Sequence, residues 1–185
     1  MKKLLLLAAV SGILTACATP DIFNENSDTS YQVIKDVNLI AESHNAGQNL
    51  MAQAPYLKKD LKAVLITSIA YISDIDSSSD LGLTISEQIG NRFVQLGFPV
   101  VDLRTRHDIK IREETGEFML SRDIKKISRD HTAGAVLVGT YTPAKDAVYI
   151  STRLIRPADN RVLASYDFKL PMGPDIKKMV NKVTK

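Results

Sequence analysis

The chain has 185 residues, 44% of them hydrophobic and 24% charged, with one cysteine and no tryptophan. That composition suits one packed domain and excludes a disordered chain. A formal charge of +3 gives no case for nucleic-acid binding, and a lone cysteine has no partner for a disulfide.

Met1-Lys2-Lys3 is a positive start, and Leu4 to Leu14 is an apolar run broken only by Ser11 and Gly12. A permanent spanning helix needs about 20 apolar residues. This shorter run, with its basic front and small exit residues, predicts a secretory signal peptide over residues 1–16. Leu14-Thr15-Ala16-Cys17 has the pattern of a bacterial lipobox, in which the cysteine receives lipid and becomes the new N-terminus. Cys17 is the predicted lipidation site; a chance cysteine behind an ordinary leader, or a buried structural thiol, is the competing reading. Loss of Lys2 and Lys3 with the leader lowers the net charge to about +1. No second run of spanning length follows, which predicts a chain anchored to a membrane rather than threaded through it. Residues 17–30 read as a polar tether, reaching about 40 Å when extended. Ala18, in place of the aspartate that commonly retains such lipoproteins in the inner membrane, predicts sorting to the outer membrane.

Val33, Ile34, Val37, Ile40 and Ala41 recur at helical steps and predict a helix from Tyr31 to Met51, with Leu50 and Met51 continuing the stripe after a softer segment from Ser43 to Gly47, closed by Pro55. Ala63 to Ala70 is rich in β-branched residues and apolar throughout, as in a strand buried on both faces. Ser73 to Asp80 reads as a solvated loop ending in a helix cap. Its Asp74, Asp76 and Asp80 offer oxygen ligands to a cation, but the glycine and terminal glutamate of a calcium loop are missing. Leu81, Ile85, Ile89, Phe93 and Leu96 form one face of a helix from Leu81 to Leu96. Ser79 or Asp80 caps its start and Gly97 its end, and Pro99 to Leu103 follows as a strand. Thr105 to Glu117 is a charged loop with Ile109 and Ile111 in a short extended piece.

Ser121 to Arg129 predicts a short helix with Leu120, Ile124 and Ile127 inward and Arg122, Lys125, Lys126 and Arg129 as a basic outer stripe. A solvated face is the default reading of that stripe; docking of an acidic partner or lipid headgroups is the alternative. Ala133 to Tyr141 predicts a central buried strand, and Thr142 to Asp146 a turn. Ala147 to Arg156 and Arg161 to Leu170 alternate as strands about a turn at Pro157 to Asn160. In the last strand Val162, Ala164, Tyr166, Phe168 and Leu170 point one way. Residues 173–185 read as a short amphipathic segment, with Ile176, Met179, Val180 and Val183 on one helical face, either packed or docking a partner. The order predicts an α+β or α/β fold over residues 31–172: a single domain with a mixed β-sheet packed by helices and a C-terminal antiparallel meander.

The chain carries no recognisable catalytic motif. His44, His107 and His131 are scattered, with no second ligand at metal spacing. No serine has the glycine neighbours of a nucleophile elbow, and Gly134 and Gly139 bracket a strand instead of opening a phosphate-binding helix. Glu113 and Glu114 lie in the charged loop. Tyr141 and Tyr149 border the turn at Pro143, as part of a surface patch or as buried strand-end aromatics. The residues predict no cofactor, no metal and a non-enzymatic domain.

Three segments resemble the FlgO family of flagellar outer-membrane lipoproteins: Leu81 to Arg104, the GEFMLSRD run from Gly116 to Asp123, and Ala133 to Ile155. The domain is also similar to the small α/β module of the TolB N-terminal part and of CsgG-type lipoproteins. The resemblance implies an outer-membrane lipoprotein that assembles with or stabilises the outer-membrane and periplasmic ring around the flagellar basal body and supports motility. It implies accessory and ring proteins of the FlgP and FlgT type as partners, besides the membrane, with self-association open, and it supplies no catalytic residues. An envelope binding module that regulates a cell-wall enzyme or joins a secretion assembly is the alternative, since this module hosts several functions.

Overall fold

The computed structural model describes residues 34–103, 112–114, 117–119, 122–181 and 183–184; the side chains of Asp76, of residues 112–124 and of 183–184 lie outside that description. The apolar run from Ala133 forms β7 (Ala133–Pro143), buried continuously from Gly134 through Tyr141, as a strand covered on both faces must be. On one side β7 pairs in parallel with β1 (Ala63–Ile66) and then with β2 (Ala70–Tyr71). On its other side it pairs antiparallel with β8 (Ala147–Ile155), which pairs with β9 (Val162–Pro171). Beyond β1 lies β4 (Val100–Asp102), parallel to it, and beyond β2 lies the antiparallel β3 (Asp74–Ser79). With β10 (Val183–Thr184) added to β3, the mixed sheet has eight strands. A separate hairpin joins β5 (Arg112–Glu114) to β6 (Glu117–Met119).

One face of the sheet packs against α1 (Leu39–Gln53), α3 (Asp80–Gln95) and α5 (Pro174–Asn181). Val64, Ile66, Leu137, Val148, Ile150 and Leu154 from the strands meet Leu50, Ile85, Ile89 and Phe93 from the helices. Each such side chain contributes about 1.5–3 kcal/mol when fully buried. The opposite face holds a smaller cluster of Leu65, Leu103, Val136, Val138 and Ile155, with Ile127 of α4 (Arg122–Asp130) packed against it. The result is a single mixed α/β module with the antiparallel meander β7–β8–β9 at one side. Among the described residues no helix is long and apolar enough to cross a membrane.

The helix α3 follows the sequence closely. Ser79 caps it, its side chain accepting from the Gly82 N–H at 3.3 Å. At the far end Gly97 takes φ +83°, its N–H reaches Val94 C=O, and the Phe98 N–H reaches Phe93 C=O. That pair of bonds is the Schellman stop. Along the side facing the strands, Gly82 and Gly90 let the helix lie close on the chain: a Cβ at Gly82 would strike the Ile69 carbonyl, and one at Gly90 would sit 3.2 Å from Ile66.

Other expectations are corrected. The first helix starts at Leu39, where the Asn38 side chain accepts from Ala41 N–H at 3.1 Å, and residues 34–38 are not helical. Val37 and Ile40 are exposed, and the buried face is Ser43, Ala46, Gly47, Leu50 and Met51. Small residues face α3 there; a Cβ at Gly47 would lie 3.1 Å from Arg92 Cβ. The strand expected from Ala63 to Ala70 is interrupted. Ile66 lies opposite Leu137 and Ala70 opposite Thr140, so the chain gains one residue on β7 at a bulge, where Thr67 donates both its N–H and its hydroxyl to Leu137 C=O.

The expected loop from Ser73 to Asp80 is the strand β3. Its buried hydroxyls are satisfied: Ser78 donates to Ile69 C=O at 2.7 Å and Ser77 to Asp74 C=O at 3.0 Å. The charged segment near 105–117 contains β5 and the start of β6, while Ile109 and Ile111 lie outside the described residues. Strand β7 runs on through Pro143, so the turn before β8 is shorter than expected, closed by Ala144 N–H to Ala147 C=O. In β9 Val162 is exposed, because a bulge opposite Leu154 and Ile155 breaks the alternation at its start. The backbone at Val183 belongs to β10 and not to a helix, while Ile176 and Val180 of α5 are buried in the main core. Gly173 has no side chain to cap α5. The carboxylate of Asp36 does so instead, accepting from Asp175 N–H at 2.9 Å and Ile176 N–H at 3.2 Å.

Candidate interaction surface

Two surfaces carry exposed apolar groups beside polar ones. The first lies on the sheet face that α4 shares. Thr140 of β7 stands opposite Ser151 of β8, and Val138 opposite Arg153. Together with Ala70, Ile72 and Ile75 these residues line a hollow of about 140 Å³. Ile72 is 45% exposed at its rim, and Tyr149, on the same side of β8 as Ser151 and Arg153, is 55% exposed. A hollow of this size seats one apolar side chain, with hydroxyls and a guanidinium in its lining.

The second is a polar cleft of about 630 Å³ between α2 (Tyr56–Lys59), the start of β7 and the β8–β9 turn, with Asp60, Lys62 and Arg156 in its walls. Arg156 Nε lies 3.3 Å from Asp159 Oδ1, and Arg161 Nε 3.9 Å from Asp159 Oδ2. These pairs are solvent-exposed, so each is worth about 0–1 kcal/mol. Leu61, between two wall residues, holds φ +50° and is 75% exposed. A leucine in the left-handed region is strained, and Tyr56 and Val162 are exposed at the same cleft. Apolar groups rimming a charged cleft suit protein contact.

The residues singled out from sequence do not converge. Cys17 and His107 lie outside the described residues. His44 is half-buried in α1, and His131 is exposed after α4. Of the basic stripe, Lys126 and Arg129 are exposed and Lys125 is half-buried, while the Arg122 side chain lies outside the description. Glu113 and Glu114 are in β5. Among the described residues no three His, Cys, Asp or Glu side chains are grouped to hold a metal; of the expected aspartates, the Asp76 side chain lies outside the description. Tyr141 is 1% exposed, its ring centroid 5.6 Å from that of Tyr71. Burial pushes its pKa up, a hydrogen bond with Ser79 opposes the rise, and Tyr71 adds to it.

Comparison with known proteins bears on the module as a whole. The family profile of the FlgO protein matches residues 44–175. The chain belongs to the FlgO family. Among solved structures, this FlgO-family chain is similar to the C-terminal domain of LpoB from Escherichia coli, at 12% identity and TM-score 0.48, over 72% of this chain and 98% of that one. The LpoB C-terminal domain from Salmonella enterica gives 14% identity and TM-score 0.45, over 69% and 97%. The PelC dodecamer from Paraburkholderia phytofirmans gives 16% identity and TM-score 0.40, over 60% and 70%. No function follows from likenesses at that level. No curated protein matches the sequence significantly.

The FlgO match spans both the apolar hollow and the polar cleft, while Cys17 and β10 lie outside it. Sequence reading missed Leu61, Ile72, Arg153 and Val162. The period-2 pattern gives the face of a strand residue, but which part of a face stays uncovered depends on where α4 lands.

Proposed function

We propose that this protein is an outer-membrane lipoprotein, anchored through Cys17, that assembles with or stabilises the flagellar basal-body ring and supports motility without catalysing a reaction. The FlgO match over residues 44–175 carries this reading. The lipobox supports the anchor: residues 1–16 are the leader, residues 17–30 the tether, and the α/β domain begins at residue 31. The apolar hollow and the polar cleft are the surfaces offered to accessory and ring proteins of the FlgP and FlgT type.

Deletion of the gene tests the reading. Cells swim poorly, and imaging of their basal bodies shows the outer-membrane ring missing or unstable. Normal swimming with intact rings overturns the proposal. Capture of a cell-wall synthase or a secretion component from envelope fractions, with no flagellar protein, replaces it with the alternative of a regulatory binding module.

A further inference from the structure

The meander ends in an edge strand, β9, which among the described residues pairs only with β8. Its backbone groups alternate in direction. Tyr166 C=O points to β8, where it accepts the Thr152 hydroxyl at 2.7 Å. Ser165 points outward: the side-chain amide of Gln53 donates to its C=O at 3.0 Å and accepts from its N–H at 3.3 Å. By the same alternation Asp167 and Lys169 also direct their N–H and C=O groups outward. Among the described residues nothing bonds those four groups. An open edge of this kind is a template for another strand.

We propose that β9 is a self-pairing edge, at which two copies of the chain join antiparallel about Phe168, Asp167 of each opposite Lys169 of the other. Three observations select this register. First, Asp167 and Lys169 are both exposed on one face, so centring the two-fold on Phe168 sets opposite charges across the seam twice. Centring on Asp167 or on Lys169 sets like charges opposite each other, which is destabilising. Second, a one-residue slip turns outward-bonding residues against inward-bonding ones and loses the ladder. Third, the register places Ser165 opposite Pro171, which has no N–H to give, and Ser165 is the residue whose outward groups Gln53 already satisfies. The ladder therefore ends on each side where no free donor is left. The contact is isologous and closes as a dimer.

The test places a thiol at the two-fold centre. Phe168 faces its own copy as a pair without hydrogen bonds, the closer kind of cross-strand pair, within disulfide reach. The full-length chain carrying Phe168→Cys, in its own envelope, is expected to form a covalent homodimer on mild oxidation, which the wild-type chain does not. Adding Asp167→Lys lowers the dimer yield at least about fivefold, and adding Lys169→Asp to that variant restores it, since the swapped charges again face each other. The detergent-solubilised chain with Phe168 intact should sediment as dimer, monomer and dimer for wild type, single reversal and double reversal, which removes any effect of the cysteine on folding. No homodimer through residue 168, a dimer indifferent to the reversal, failure of the second reversal to restore it, or cross-linking only to a different protein overturns the proposal.

Discussion

Tyr141 puts a phenol where solvent hardly reaches it, with Ser79 as its hydrogen-bond partner and Tyr71 at its side. A tyrosine ordinarily titrates near 10. Burial raises the folded value, so the native state keeps this proton longer than the unfolded chain does. The linked stability is complete below about pH 10 and is lost as pH rises through the folded value. Tyr141→Phe, which cannot ionise, should lose about 1 kcal/mol at neutral pH with the Ser79 bond. It should also show a smaller drop in urea midpoint between pH 8 and pH 11 than the wild type; an equal drop refutes the assignment. The sequence left Tyr141 between surface and core, because a strand-end aromatic fits both. Its neighbour in that comparison, Tyr149, lies two residues into β8 and is exposed. The outcome was set by the face each tyrosine occupies: Tyr141 lies on the face that packs into the main core, and Tyr149 on the other.

Among the elements, α5 depends on a residue far away in the chain. Helix starts are ordinarily capped from the preceding residue, but that residue is Gly173, and Asp36 supplies both bonds. Asp36→Ala should cost about 1 kcal/mol, a fall in melting temperature of about 2–4 °C. Amide exchange should speed up at Asp175 and Ile176 first; unchanged exchange there sinks this reading. A carboxylate cap 139 residues distant in sequence leaves no local signal. The legible elements were those whose burial rests on large apolar residues: α3, β7, β8 and most of β9 came directly from periodicity. In α1 the stripe of Val33 to Ala41 outweighed the true face, since Ser43, Ala46 and Gly47 bury little hydrophobic surface and yet allow α3 to come close. Strand β3 read as a loop because its serines are polar; their hydroxyls find backbone acceptors in the sheet, which composition does not register.

At the scale of the molecule, the mixed sheet with helices and an antiparallel meander was readable from the order of elements, and the surfaces were not. The apolar hollow exists because α4 covers one part of a sheet face and leaves another, a matter of placement that no periodicity encodes. The anchor proposed above rests on the leader and Cys17. Cys17→Ser should move the chain from the membrane pellet to the soluble periplasmic fraction with its thermal unfolding unchanged, and motility should fall to that of the deletion strain. A variant that still pellets with membranes and supports full swimming removes the anchor from the account. The Asp36 clamp has a mechanical consequence. Tension applied ahead of Ile34 meets Asp36 before it meets α1, and Asp36 is fastened to the start of α5. The load is shared at once with a helix that sets Ile176 and Val180 into the main core, so the first helix is shielded from being peeled away turn by turn.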